Sequence, residues 1–426
     1  MFGGENAQSL TGMALVLGLS WLMSEDRRRF PWKLALATVV VQALLVLTLF
    51  NLPVLRQGLA LVGQGVDGLA ASTQAGAAFV FGFLAGGPAQ PYALANPAAL
   101  FVFGFRVLPV ILVVCALAAL LWHWRILRWI TQGFGFIFRR AFGLRGAPAL
   151  ATAATIFMGQ VEGPIFIRGY LKTLSRSELF LLIAVGMSCV SGSTMVAYVA
   201  ILQGVLPNAA AHILTASVVS APAGVLLARI IVPRDPVLES GADQPVDLDK
   251  TYESSIDAVI KGTSDGLQIV LHVAATLIVF VAFTAMIDRL LAGLPTIGGQ
   301  PVTLERGLGM AFAPLAWSLG VPWRDAPAAG GLLGVKLVLT EFSAFIRLGA
   351  IPAAELAPRT RVIMTYALCG FANIASVGIN VAGYNVLVPE RRGEVIGLVW
   401  KAMAAGFLAT CFSAAVVGAL PAAFVG

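Results

Sequence analysis

The sequence predicts an all-α polytopic membrane protein with eight transmembrane helices and two re-entrant helical hairpins of opposite orientation, arranged as inverted repeats. Of its 426 residues, 58% are hydrophobic and 12% are charged, about half the charged share of soluble domains. Its mean hydropathy is +0.88, and many stretches approach the roughly 20 apolar residues that cross a bilayer. Such a composition leaves too little polar surface for a soluble globule of this size.

Eight apolar stretches predict the transmembrane helices. They fall near residues 8–23, 33–53, 99–122, 179–203, 210–232, 267–291, 361–385 and 394–422. No basic region precedes the first stretch, so we expect a retained helix and not a cleaved signal. The four cysteines stand singly in apolar segments and are expected to be small buried residues.

Two shorter apolar stretches, at about 149–174 and 329–352, are interrupted by Gly, Pro or Glu near their middles. Such stretches are poor single crossings, and we predict that each forms a re-entrant hairpin buried among other helices. Each follows an amphipathic stretch, "WRILRWITQGFGFIFRRAFG" in the first case and "LERGLGMAFAPLAWSLG" in the second.

Clusters of Lys and Arg predict which loops face the cytoplasm. They lie at 27–33, 125–145 and 391–392. Placing all three in the cytoplasm requires eight crossings, with both termini outside and the hairpins entering from opposite sides of a bacterial cytoplasmic membrane. The Gly- and Ala-rich segment 51–98 is then expected to be an outside loop.

The order of these elements predicts five regions. They are an N-terminal three-helix scaffold (1–122), a first repeat (123–235), a cytoplasmic linker (236–262), the sixth span as part of the scaffold (263–300) and a second repeat (301–426). Each repeat carries an interfacial helix, a hairpin with one Glu, a broken helix about thirty residues further on and a last span. Paired halves of opposite sense are typical of secondary transporters.

Glu162 and Glu341 are the two hairpin acids. A carboxylate near the bilayer centre costs about 2.5–3.5 kcal/mol unless partners, water or a proton compensate it. One alternative is an ion pair with a nearby cation such as Arg168 or Arg347. We favour a shared hydrated cavity, because the two acids occupy equivalent places in the two repeats.

The other polar side chains near these acids indicate what the cavity could bind. Five of them are neutral hydrogen-bond donors and acceptors, namely Gln160, Ser193, Thr194, Asn373 and Ser376. Phe371 adds an aromatic ring. Such groups suit an uncharged, ring-bearing solute with several hydroxyls, and disfavour phosphates and dicarboxylates.

Other classes of protein fit the sequence less well. No basic face on a soluble domain indicates nucleic-acid binding, and no HExxH motif, ligand cluster or phosphate-cradling loop indicates a catalytic residue, metal or cofactor. A gated channel and a membrane enzyme remain the alternatives to a transporter.

Eight stretches, in order along nearly the whole chain, resemble the concentrative nucleoside transporters. They are "FRVLP" (105–109), "GQVEGP" (159–164), "SRSELF" (175–180), "IDAVIKGTSDGL" (256–267), "FAPLAWSLGVPWRDA" (312–326), "GVKLVLTEFSAF" (334–345), "YALCGFANIASVGI" (366–379) and "VPERRGEVIGL" (388–398). The resemblance implies a homotrimer in the lipid bilayer. Each protomer would carry a nucleoside across by an elevator-type movement coupled to a cation.

The resemblance also assigns roles to individual residues. It places Gln160, Val161 and Glu162 at the nucleobase, with Thr194 lining the same side. It assigns Glu341, Asn373 and Ser376 to the ribose hydroxyls, and Phe371 to packing against sugar and base. Val161 departs from the family, which usually has a small hydroxyl residue there, and Thr340 stands where the family commonly has Asn.

The candidate cation site departs further from the family pattern. Thr155 and Cys189 replace the Asn and Ser of sodium-coupled members, and the backbone at Met158 and Val190 would complete the ligand set. Because sodium prefers hard oxygen ligands, we expect proton coupling through Glu162 or Glu341. Sodium coupling and transport of a related neutral solute are the alternatives. His272 stands where the family tends to have Asn and is a further proton candidate.

Overall fold

The computed structural model describes residues 4–87, 102–144, 146–160, 162–165, 167–234, 252–296, 299, 301–352 and 354–421. Within these ranges every regular element is helical. The expectation of an all-α fold is therefore confirmed.

The described residues of the N-terminal part form five α-helices. They are α1 (Gly4–Leu22), α2 (Trp32–Asn51), α3 (Pro53–Phe81), α4 (Phe103–Arg106) and α5 (Leu108–His123). The expected outside loop at 51–98 is wrong over much of its length, because α3 is a 29-residue helix. Pro53 suits the first helical position, and small residues such as Gly and Ala are common in helices that pack in membranes.

Six α-helices lie in the part of the first repeat that the structure describes. They are α6 (Ile126–Phe142), α7 (Gly146–Met158), α8 (Glu162–Ile165), α9 (Arg176–Ser188), α10 (Gly192–Leu202) and α11 (Ala209–Ile231). The buried residues of α6 recur every three or four positions, from Leu127 to Phe142. This spacing gives the helix one apolar face against the protein.

The remaining helices run from the sixth span to the C-terminus. They are α12 (Ser255–Leu291), α13 (Leu304–Ser318), α14 (Ala326–Val338), α15 (Glu341–Ala350), α16 (Pro358–Leu368), α17 (Ile374–Leu387) and α18 (Arg392–Ala419). α12 begins inside the expected linker 236–262, because Ser254 caps it by accepting a hydrogen bond from Asp257 N at 3.1 Å. Residues 236–251 of that linker lie outside the described residues.

Seven helical segments of the described chain are long and apolar enough to cross a membrane. Six of them match predicted spans, and the seventh, Gly63–Ala85, was not foreseen. Two predicted spans are absent from this set. They are 8–23, most of which lies in α1, and 361–385, where the chain unwinds between α16 and α17.

Two predicted spans are broken helices, and their breaks cross. α9 and α10 flank residues 189–191, and α16 and α17 flank residues 369–373. At the crossing, Phe371 N donates to Cys189 O at 3.2 Å. A Cβ at Gly370 would lie 2.9 Å from Ser188 O, so only glycine permits this close approach.

The first hairpin, formed by α7, α8 and the chain that leads to α9, has its base near the end of α1. Glu25, just after α1, accepts bonds from Arg176 at the start of α9 and from Lys401, both at 2.9 Å. Arg391 donates to Leu171 O at 2.9 Å, close to the same base. The basic clusters at 27–33 and 391–392 therefore border one side of the molecule.

The second hairpin, formed by α14 and α15, has its base near the beginning of α1. Asp325, just before α14, accepts a bond from Ala357 N at 3.0 Å. Arg359 in turn pairs with Glu5 at 3.3 Å. Since α1 is 19 residues long, about 28 Å at 1.5 Å per residue, the two hairpin bases lie at opposite ends of the molecule.

Candidate functional site

The tips of the two hairpins are built differently. α7 ends at Met158, and Gly159 follows with φ +115°, a conformation that favours glycine. Gln160 docks against Gly186 of α9, where a Cβ would lie 3.1 Å from the Gln160 Cβ. Val161, assigned to the base by resemblance, lies outside the described residues.

In the second hairpin, Thr340 fixes the position of Glu341. The Thr340 Oγ1 accepts from Ser343 N at 3.1 Å and caps α15. Glu341 is then the first residue of that helix, where the partial positive charge of the helix N-terminus favours a carboxylate.

The Glu341 carboxylate is buried and held by two donors. Tyr198 Oη–H donates to Oε1 at 3.0 Å, and Asn373 Nδ2 donates to Oε2 at 2.5 Å. Arg347, the alternative cation partner, pairs instead with Glu305. Glu341 thus belongs to a polar site between helices α10, α15 and α17.

Gln160 extends this site to the first hairpin. Its Nε2 donates to Ser376 Oγ at 3.2 Å, and its Oε1 accepts from Asn380 Nδ2 at 2.8 Å. Ser376 N in turn donates to Asn373 Oδ1 at 2.8 Å. The network therefore connects the tips of both hairpins through a single helix, α17, and we call it the α17 network (Gln160, Tyr198, Glu341, Asn373, Ser376 and Asn380).

Glu162, Thr194 and Phe371 form none of the hydrogen bonds described above for the α17 network. Glu162 is partly buried, and its carboxylate packs over Gly159. Thr194 is buried in the first turn of α10, and its Oγ1 donates to Ser191 O at 2.9 Å. Phe371 is partly buried in the unwound segment between α16 and α17.

The candidate cation ligands have protein partners of their own. Thr155 Oγ1 donates to Ala151 O at 2.8 Å. The Cys189 thiol donates to Ser217 O at 3.7 Å, and the Val190 carbonyl accepts from Ser217 Oγ at 3.3 Å. Met158 is partly buried at the end of α7.

His272 lies apart from the α17 network, on the exposed surface of α12. Within the described residues, no group of three His, Cys, Asp or Glu side chains could hold a metal ion.

Sequence reasoning missed four residues around this site. They are Tyr198, Ser217, Lys336 and Asn380. Lys336 is completely buried and donates to Ala367 O at 2.7 Å and to Thr410 Oγ1 at 2.6 Å. Asn380 could have been found from its position four residues after Ser376, which places both on one helix face. Lys336 could have been found as a lone lysine in the apolar stretch 329–352.

Three family descriptions match successive parts of the chain. "Na+ dependent nucleoside transporter N-terminus" matches residues 11–84, "Nucleoside recognition" matches 104–204, and "Na+ dependent nucleoside transporter C-terminus" matches 212–418.

Whole-chain comparisons agree with these matches. The chain is 33% identical over 416 residues to nucleoside permease NupC of Helicobacter pylori, covering 96% of each protein. It is 39% identical over 318 residues to the uncharacterized transporter YutK of Bacillus subtilis, covering 74% of this chain and 77% of YutK. Its structure matches CNTnw in an inward-facing substrate-bound state with a TM-score of 0.87 and 32% identity, over 99% of each chain.

Proposed function

This chain belongs to the Na+-dependent nucleoside transporter family, and we propose that it takes up nucleosides by proton-coupled secondary active transport across the bacterial cytoplasmic membrane. The family is one of membrane nucleoside transporters and not of enzymes.

The observation that carries this proposal is the α17 network. Each Glu341 oxygen accepts one described bond, and a carboxylate oxygen has room for a second. The two free positions suit two neighbouring ribose hydroxyls. Gln160 lies at the other end of the network, where its amide can bind the edge of a base. A hydroxyl-bearing sugar linked to a planar polar ring therefore fits the spacing of donors and acceptors along α17.

Proton coupling is favoured over sodium coupling by the candidate cation ligands. A thiol is a poor sodium ligand, and the Cys189 thiol and the Val190 carbonyl both bond to Ser217. Either Glu162 or Glu341 carries the proton in this proposal, because binding a proton removes a charge that would be costly to move through the membrane.

Alternating access follows from the opposed hairpins. Each would act as the gate of one side, while the α17 network holds the solute between them. Solved structures of CNTnw and its variants are described as inward-facing, outward-facing and intermediate states, which is the range of states that an elevator movement requires.

A homotrimer is part of the same proposal. α12 packs closely on α5, where a Cβ at Gly262 would lie 2.7 Å from Cys115 O. Most of the remaining α12 surface is apolar and exposed in the single protomer. Such a surface suits contact with lipid and with neighbouring protomers.

The side that carries the basic clusters faces the cytoplasm in this proposal, by the positive-inside rule. Both termini then lie outside.

Uptake by proteoliposomes tests the proposal. Purified protein is reconstituted, and entry of labelled uridine, adenosine and inosine is measured under an inward pH gradient, under an inward sodium gradient, and with no gradient, at clamped membrane potential. We expect the pH gradient alone to drive uridine above its equilibrium level. Stimulation by sodium but not by protons would overturn the coupling assignment, and no uptake of any nucleoside would overturn the function.

A further inference from the structure

Asn380, a residue of α17, has a fixed amide orientation. Its Nδ2 donates to Ser376 O at 2.9 Å and to Gln160 Oε1 at 2.8 Å. A backbone carbonyl can only accept, so the nitrogen of Asn380 must face Ser376 O. Both hydrogens of that nitrogen are then used inside the protein.

The orientation of Asn380 fixes that of Gln160. Because Asn380 presents a donor, the oxygen of the Gln160 amide faces it and the nitrogen faces Ser376 Oγ, at 3.2 Å. One hydrogen of the Gln160 nitrogen remains for a ligand. The orientation of both amides thus follows from one carbonyl of the α17 backbone.

The oxygen of Asn380 is the unusual atom. The side chain is completely buried, and Oδ1 has no hydrogen-bond partner among the described residues. Buried acceptors are almost always bonded to protein, water or ligand. An unused acceptor therefore lies on the amide that contacts Gln160, which has an unused donor.

We propose that Asn380 and Gln160 together select bases whose edge presents an N–H beside a C=O, as in uracil, thymine, hypoxanthine and guanine. This inference rests on the proposed function. The base N–H donates to Asn380 Oδ1, and the adjacent carbonyl accepts from Gln160 Nε2. Cytosine and adenine present a ring nitrogen acceptor beside an amino donor. Their ring nitrogen would face the acceptor Asn380 Oδ1, and their amino group would face the donor Gln160 Nε2.

Competition against labelled uridine in proteoliposomes tests the assignment. For the wild type, we expect uridine to compete at least tenfold better than cytidine, and inosine at least tenfold better than adenosine. Leucine has a volume similar to that of asparagine but no amide. In Asn380→Leu, the preference for uridine over cytidine and that for inosine over adenosine should therefore both fall to about threefold or less. Tyr384→Phe is the matched control: it lies four residues further along the same helix face, is equally buried, and should keep the wild-type ratios.

A second measurement does not depend on the variant being folded. In the wild type, 3-methyluridine lacks the N–H and should compete at least tenfold less well than uridine. 5-Methyluridine carries its methyl on another edge and should compete like uridine. Equal competition by uridine and 3-methyluridine, or unchanged ratios in an active Asn380→Leu, would overturn this inference while leaving nucleoside transport intact. Absence of all nucleoside uptake by the wild type would instead overturn the proposed function, and the inference with it.

Discussion

Replacing Glu341 with Gln tests the proposed ribose site most directly. Glu341 is 5% exposed, and its carboxylate already accepts bonds from Tyr198 and Asn373. Glutamine keeps the shape of the side chain but turns one acceptor oxygen into a donor nitrogen. Either Tyr198 or Asn373 then faces a donor, and one ribose hydroxyl loses its acceptor.

The expected loss follows from these bonds. A hydrogen bond to a charged group contributes about 1.5–3 kcal/mol, and a neutral one about 0.5–1.5 kcal/mol. Weakening one ribose bond and losing the other therefore removes about 2–4 kcal/mol, which corresponds to about a 30- to 700-fold decrease in uptake kcat/KM for uridine.

The assay compares uridine with 2′-deoxyuridine and 3′-deoxyuridine in both proteins. In the wild type each missing hydroxyl should lower kcat/KM, whereas in Glu341→Gln at least one of the two losses should nearly disappear. Glu305→Gln is the control, because Glu305 is a more exposed acid that pairs with Arg347 outside the network, and it should stay within about twofold of wild type.

Two results would contradict the ribose assignment. One is a wild-type KM for uridine in Glu341→Gln. The other is that each deoxyuridine lowers kcat/KM, relative to uridine, by the same factor in the wild type and in the variant. That result would show that Glu341 acts on the fold and not on the sugar.

Three further predictions concern coupling and stability. Lys336→Met keeps the length of the side chain but removes its buried bonds to Ala367 O near the end of α16 and to Thr410 Oγ1 of α18, so uridine uptake should fall at least roughly tenfold while size-exclusion profiles show whether the protein stays folded. Thr155→Asn combined with Cys189→Ser introduces the Asn and Ser that the resemblance assigns to a sodium site, and uptake should then respond to an imposed sodium gradient; an unchanged ion response would contradict the proposed reason for proton coupling. Burial raises the pKa of Glu25, but bonds and charges from the neighbouring arginine and lysine outweigh it and hold the pKa below its usual value. The stabilisation is therefore present above the unfolded pKa of about 4.3 and lost as pH falls through the folded pKa, so Glu25→Gln should lower Tm at pH 7 by an amount that shrinks on acidification; an equal decrease at pH 7 and pH 3.5 would exclude this ion pair as the cause.

The sequence predicted the residues of the site better than their partners. Gln160, Glu341, Asn373 and Ser376 were expected near helix breaks, where Gly and polar residues interrupt apolar runs, and the structure joins all four in one network. Tyr198 was not expected, because its neighbour Glu341 lies 143 positions away and the hydrophobic pattern of α10 carries no information about that contact.

The error at 51–98 has a different physical origin. Gly and Ala weaken the hydrophobic signal and resemble a loop, yet they also let helices approach one another closely. A Cβ at Gly63 of α3 would lie 3.8 Å from the Ala210 Cβ of α11. Small residues therefore predicted a loop at a place where they permit packing.

The spacing of residues along α17 explains how one helix could serve two gates. Asn373, the N-cap, holds Glu341 of the second hairpin, whereas Ser376 and Asn380, one and two turns further on, hold Gln160 of the first. Because the two sets of bonds use different side chains, either hairpin can leave α17 without breaking the bonds of the other. In the proposed function the sugar binds at one end of the network and the base at the other, so the solute would keep about half of its contacts whichever gate opens.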